Sequence, residues 1–167
     1  MDKLKQIKDK IILKKEDAYN LLNTWKFKED KIVFSNGCFD IIHRGHLEYL
    51  ASAASLGNKM IIGLNSDSST QRLKGPSRPI NDEYSRALLL ASLSFVNLVI
   101  LFEEDTPYNL INFIQPDILV KGGDYRAEDI VGYDIVKAKG GQIKTLDFFE
   151  GFSSSKLIKK IQKAEKL

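Results

Sequence analysis

From residue 31 onward the chain alternates short apolar runs with stretches of helical periodicity, and this alternation constrains the fold more than any other feature. Lys31 to Ser35 (KIVFS) reads as a first strand. A helix follows over Arg44 to Leu56, with Leu47, Leu50, Ala51 and Ala54 at helical spacing and Gly57 where a glycine C-cap is expected. Lys59 to Leu64 reads as the second strand. Asn81 to Leu93 reads as a helix with Asn81 as N-cap, and Asp82 and Glu83 lie in a first turn that favours negative charge. Leu98 to Phe102 is the third strand, after which Thr106 caps a helix with Pro107 at its first position, where a missing N–H costs nothing. Ile118 to Val120 and Gln142 to Leu146 are the fourth and fifth strands, and a last helix runs from about Ser154 to Glu165. Strands separated by helices pair in parallel through crossovers. The expected fold is therefore α/β, a Rossmann-like doubly wound parallel sheet of about five strands. Ligands of such sheets bind beyond the carboxyl ends of the strands, so the residues just after each strand carry the functional information.

Residues 3 to 26 read instead as amphipathic helix, with Leu4, Ile7, Ile11, Ile12, Ala18, Leu21, Leu22 and Trp25 on the apolar side. The expected organisation is an N-terminal helical arm over 1–28 and a single domain over 29–167. The arm packs either on that domain or on a second copy of the chain. At 167 residues, 43% hydrophobic and 28% charged, the chain can bury a core without disulfides or structural metal. Cys38 is its one cysteine, so no internal disulfide can form. The opening MDKLKQIKDKIILKK builds no long apolar run, so neither a signal peptide nor a membrane span is expected and the cytoplasm is the default location. Lys and Arg total 25 against 22 acidic residues, a net charge of +3. That excess is too small to argue for a nucleic-acid partner, but it suits small anionic substrates if the positive charge converges on one cleft.

The densest chemistry lies at the first strand-to-helix turn. Both histidines of the chain, His43 and His46, fall within His43-Arg44-Gly45-His46. A helix N-terminus offers free N–H groups and a partial positive charge, and residues three apart share one face, so both imidazoles can reach one polyphosphate. Gly45 leaves room for close approach to the backbone. No metal site is expected here, because there is no third histidine and Cys38 stands alone.

NGCFDIIHRGH resembles the GxFDxxHxGH signature of the cytidylyltransferase-like nucleotidyltransferases, with the phenylalanine, aspartate, both histidines and both glycines at the family spacings. The resemblance implies that Asn36, Gly37, Cys38, Phe39 and Asp40 line an ATP pocket through backbone groups. It also implies that His43 and His46 bind the triphosphate and stabilise charge as pyrophosphate leaves. The family's hydroxyl-rich second motif corresponds to Gly151-Phe152-Ser153-Ser154-Ser155, where serines at a helix start can hold phosphates as well as cap the helix. Many relatives carry an arginine soon after these hydroxyls. This chain has Lys156, Leu157, Ile158, Lys159 and Lys160 instead, and lysine lacks the arginine fork.

Asn65 and Asp67 follow the second strand, and Arg72, Lys74, Arg78 and Arg86 come soon after, a cluster on the carboxyl side of the sheet that suits anion binding. Lys74 and Arg78 flank Gly75-Pro76 and are expected on a loop that closes over the reaction. Lys121-Gly122-Gly123-Asp124-Tyr125 follows the fourth strand; its glycines admit the adenine and ribose, and Asp124 is placed to hold a ribose hydroxyl. The strings NSDSSTQRLKGPSRPIN, FEEDTP and DILVKGGDY resemble the branch that adenylylates D-glycero-β-D-manno-heptose 1-phosphate, over about Lys31 to Gln162. This branch implies ATP and a sugar phosphate as substrates, Mg²⁺ as cofactor, ADP-heptose as product for lipopolysaccharide and other glycoconjugates, and the stand-alone rather than the kinase-fused form. The habits of similar proteins are compatible with a homodimer. A cytidylyltransferase for glycerol 3-phosphate or another alcohol phosphate shares both motifs, and a non-catalytic nucleotide-binding regulatory module would share the fold. His43, His46 and Lys74 are the expected catalytic residues, with Asn65, Asp67, Arg78, Arg86 and Lys121 toward the sugar phosphate.

Overall fold

All five strands expected from the apolar runs form, and a sixth joins them from the arm. The computed structural model describes residues 2–123, 125–147 and 153–164. Its strands are β1 (Ile11–Ile12), β2 (Ile32–Gly37), β3 (Lys59–Asn65), β4 (Leu98–Phe102), β5 (Ile118–Gly122) and β6 (Gln142–Leu146). They make one sheet in the order β1-β4-β3-β2-β5-β6, and every pair is parallel. From β2 the chain builds outward through β3 to β4, then returns to the other side of β2 for β5 and β6. The strand order thus reverses between β2 and β5, and the crevice beyond their carboxyl ends is the expected ligand site.

Helices cover both faces. They are α1 (Lys3–Lys8), α2 (Tyr19–Phe27), α3 (Arg44–Ala54), α4 (Asp67–Lys74), α5 (Glu83–Ser92), α6 (Tyr108–Ile114), α7 (Tyr133–Ala138) and α8 (Ser154–Ala164). Successive strand residues point to opposite faces, so Ile32 and Phe34 pack with Leu22, Trp25, Leu110, Ile111 and Val136 on one side. Val33 packs with Tyr49, Leu50, Ala53, Leu90 and Ala91 on the other. Burial on both faces explains why the four central strands, β2 to β5, read as largely apolar runs rather than alternating ones.

The structure differs from the sequence reading at several places, each for a local reason. The arm is not one helix: α1 gives way to β1, where Ile11 and Ile12 pair with Val99 and Ile100. Gly57 is no helix cap, since α3 ends at Ala54 with Ser55 as its C-cap; a Cβ at Gly57 would lie 2.5 Å from the Lys31 carbonyl oxygen, so glycine is needed there for close packing. Asp82, not Asn81, caps α5 by accepting from Ser85 N at 2.9 Å, because the Asn81 side chain is engaged elsewhere, on the Asp40 carbonyl at 2.7 Å. Pro107 occupies the N-cap of α6 rather than its first turn, and its carbonyl accepts from Ile111 N at 2.8 Å. Lys74 ends α4 instead of lying on a loop, with Gly75 as its C-cap at φ 99°.

Candidate active site

β2 runs two residues further than its apolar run and ends on Asn36 and Gly37 at the point where the strand order reverses. Across the crevice, Lys121 near the end of β5 donates from Nζ to Asn36 Oδ1 at 3.3 Å. Burial pulls the Lys121 ammonium below its ordinary value; Cys38 opposes this, and neighbouring Lys74 adds to it. Lys74 and Lys121 therefore share one electrostatic neighbourhood although they come from different sides of the sheet. Behind them, the buried Ser35 hydroxyl and the Tyr49 hydroxyl are 2.8 Å apart, and Tyr49 donates to the Val120 carbonyl at 3.2 Å. Burial pushes the Tyr49 phenol up to about 12, with the Ser35 hydrogen bond acting the other way, so this link between β2, α3 and β5 stays neutral.

The turn after β2 is tightly built. Phe39 takes φ 44°, and its ring lies 3.1 Å from where a Cβ at Gly37 would stand. His43 is the N-cap residue of α3 with extended backbone, and its side chain makes no capping bond to the helix. Its ring stacks on His46 with centroids 3.8 Å apart and an interplanar angle of 24°. The Phe39 ring meets His46 edge-on at 5.5 Å. Desolvation lowers the His46 imidazole to about 4, with repulsion from His43 in the same direction and the Ile41 backbone opposing. Desolvation also lowers His43. Both rings are thus held neutral, and His46 Nδ1 is buried with no hydrogen-bond partner among the described residues. Gly45 is buried in the first turn of α3 beside them.

The last helix starts beside this turn. Ser154 Oγ donates to the Ile41 carbonyl at 3.1 Å, and Ser153 caps α8 by accepting from Lys156 N at 3.1 Å. Ser155 is exposed on the same turn. His43, His46, Ser153 and Ser154, distant in sequence, are therefore brought to one place. Gly122 is buried at the end of β5, whereas Asp124, Gly151 and Phe152 lie outside the described residues. A groove of about 510 Å³ lined by Asn112, Gln115, Asp134, Ile135, Ala138 and Lys139 contains none of these groups.

The polar residues after β3 divide into two kinds. Arg86, expected to meet substrate, is fully buried. Its Nε donates to the Asn81 carbonyl at 3.0 Å, Nη1 to the carbonyls of Cys38 at 2.5 Å and Asn65 at 2.9 Å, and Nη2 to Asp67 Oδ1 at 2.7 Å. It is a bracket inside the wall rather than a group facing a ligand. Asn65 is likewise buried and donates to Ser69 Oγ at 3.0 Å. Asp67 and Arg78 stay partly open, Arg78 with Nε 2.5 Å from Asp40 Oδ2. Arg72 turns away to Asp105 at 2.7 Å. Two contributors have no signal in the sequence: Asn81, whose position reads as a helix cap but whose side chain donates to the Asp40 carbonyl, and the Ser35–Tyr49 link, which only a tertiary contact defines.

The Cytidylyltransferase-like family profile matches residues 34–160, from within β2 to within α8, and so spans every part of this crevice. The chain belongs to the cytidylyltransferase-like family. Its reaction class is nucleotidyl transfer. The chain is 53% identical over 154 residues to the bifunctional protein HldE of Campylobacter jejuni subsp. doylei, covering 92% of this chain and 32% of that one. It is 49% identical over 151 residues to the bifunctional protein HldE of Wolinella succinogenes, covering 90% and 31%. The chain thus spans about a third of the length of these relatives. A solved lipopolysaccharide core biosynthesis protein from Thermoplasma volcanium superposes with a TM-score of 0.58 at 28% identity, over 72% of this chain and 97% of that one. The pantoate–beta-alanine ligase of Francisella tularensis, at 15% identity and the same TM-score of 0.58, shares the fold. Among the described residues no helix is long and apolar enough to cross a membrane.

Proposed function

We propose that this chain is an adenylyltransferase that transfers AMP from ATP to D-glycero-β-D-manno-heptose 1-phosphate, giving ADP-heptose and pyrophosphate. The observation that carries the reading is the stacked, neutral His43–His46 pair at the start of α3, with the α8 serines beside it. The heptose branch is supported by the identity of about half to the HldE proteins and by the strings around Arg78 and Lys121. In this reading a sugar-phosphate oxygen attacks the α-phosphorus of ATP in line, the α–β bridging oxygen leaves with pyrophosphate, and no general base is required because the phosphate monoester is already anionic. The chain's contribution is alignment and charge stabilisation. His43 and His46 donate to the triphosphate, Lys74 and Lys121 supply positive charge, and the α8 N-terminus with Ser153, Ser154 and Ser155 cradles the departing phosphates. Asn36 to Phe39 and the Gly122 end of β5 flank the nucleoside. Asp124, outside the described residues, belongs to the same proposal as a ribose contact.

Among the described residues no group of three or more His, Cys, Asp or Glu forms a metal cage. The residues present fit a Mg²⁺ that travels with the triphosphate, as this ion commonly does, and neutralises phosphate charge there. The arm over 1–28, the cytoplasm as location and a homodimer remain parts of the same proposal. The deciding experiment measures pyrophosphate release with Mg²⁺, pairing ATP or CTP with heptose 1-phosphate, glycerol 3-phosphate or no acceptor. Release with ATP and heptose 1-phosphate alone is expected. Release only with CTP and another acceptor would overturn the substrate assignment, and ATP binding without release for any acceptor would favour a regulatory module.

A further inference from the structure

Asp40 belongs to the histidine signature, yet its side chain faces away from the histidines' business. It is 2% exposed, and its carboxylate takes three contacts from one short stretch of chain. Oδ2 accepts from Arg78 Nε at 2.5 Å, and Oδ1 accepts from the backbone N–H groups of Ile80 at 2.7 Å and Asn81 at 3.0 Å. Asn81 returns the contact through Nδ2 to the Asp40 carbonyl at 2.7 Å, while its own carbonyl accepts from the buried Arg86. Arg86 also ties down the Cys38 and Asn65 carbonyls, at the ends of the β2 turn and of β3. The connector over 75–82, between α4 and α5, is thus hydrogen-bonded to the turn after β2 at three of its residues, Arg78, Ile80 and Asn81. A guanidinium has five donors, and Asp40 engages Arg78 at Nε, next to the stem, so the terminal fork is not required for this ion pair.

We propose that Asp40 is a positioning residue for the acceptor: by gripping Arg78 and the Ile80–Asn81 backbone, it presents the 75–82 connector as a preformed wall on which the phosphorylated acceptor docks. This rests on the adenylyltransferase reading above. It also replaces the expectation of a closing loop with a fixed subsite, which saves the cost of ordering the loop at each binding event. A buried carboxylate holding three donors cannot be exchanged for its neutral isostere without weakening all of them.

The test is steady-state kinetics on wild type, Asp40→Asn, Arg78→Ala and the double variant, with hydrogen exchange followed at the Ile80 and Asn81 amides. Asp40→Asn is expected to speed exchange at both amides and to raise the acceptor KM by about tenfold or more, the loss of a charge-assisted contact, while the KM for ATP stays within about twofold. In the Arg78→Ala background, Asp40→Asn should raise the acceptor KM by less than it does alone, because the Arg78 contact is already gone and only the Ile80 and Asn81 amides remain to be released. Fully multiplicative effects, a rise confined to the ATP KM, or unchanged amide exchange would each overturn the inference. Asn81→Ala, which removes only the bond to the Asp40 carbonyl, carries the test if Asp40→Asn does not fold; it should raise the acceptor KM by about twofold to tenfold and leave the ATP KM alone. A wild-type protein that turns over with no phosphorylated acceptor would defeat the proposed function and this inference together. A wild type that does turn over, with the wrong pattern among variants, would defeat the inference alone.

Discussion

The two ends of the sheet use similar side chains to opposite effect. At the amino end, polar side chains close off strand termini: Asp117 Oδ2 accepts from Ile32 N at 2.8 Å, Asn58 Oδ1 from Lys31 N at 2.7 Å, and Asn97 Oδ1 from Met60 N at 2.8 Å. Each answers one backbone donor at the start of a strand. At the carboxyl end Asp40 accepts from backbone amides and Arg86 donates to backbone carbonyls of the turns, but inside that frame His46 Nδ1 is buried with no hydrogen-bond partner among the described residues. A polar atom kept dry and unsatisfied costs stability, so a site that keeps one holds a capacity for a ligand that the amino end lacks. What separates scaffold from site here is whether the local hydrogen-bond account closes, not how polar the region is.

The largest effect that can break this contrast is His46→Ala. If the buried imidazole serves the triphosphate, kcat should fall by on the order of 10²–10³ with an unchanged circular dichroism spectrum. A folded variant with wild-type kcat would place the unsatisfied nitrogen in the scaffold class after all. The converse at the amino end is Asn97→Ala, which strands the Met60 amide. It should lower unfolding free energy by about 1–3 kcal/mol in urea titration while the rate per folded molecule holds. A loss of rate without loss of stability there would erase the contrast from the other side.

A smaller effect sharpens it through pH. Because folding lowers the His46 imidazole from 6.5 to about 4, the unfolded chain binds the proton more readily between those values. The resulting stability is present in full above pH 6.5 and is lost as pH falls toward 4. Calorimetry should therefore show the Tm of wild type falling faster than that of His46→Gln across this window. Parallel curves would mean that the imidazole titrates normally in the folded protein.

Much of this was legible because burial on both faces writes each central strand as an apolar run; β4 begins and ends where its run does. The strand ends after β2, β3 and β5 were read short, because Asn36, Gly37, Asn65, Lys121 and Gly122 are polar or small, which is what equips them to face a ligand. β1 has two residues, too few to show any period inside an arm that otherwise reads as helix. α4, with the sequence DSSTQRLK, offers almost no apolar stripe and is set by its Ser66 cap and by Ser69 and Thr70 buried beneath it. The histidine pair could be found from spacing alone. The role of Asp40 could not, since it depends on a partner 38 residues away that the backbone brings back only after β3 and α4 are in place.

The pairing of Ile11 and Ile12 with β4 also has a practical side. β4 is Leu98–Phe102, five apolar residues in a row, and among the described residues β1 is the strand that pairs with its outer edge. A two-residue strand is a blunt edge that offers a neighbouring molecule little to extend. Shortening the chain past Ile12 would exchange that edge for LVILF, an uncharged, proline-free template for adding strands from other chains. Trimming residues 1–12 as a dispensable tail is therefore expected to expose that edge and promote non-specific aggregation.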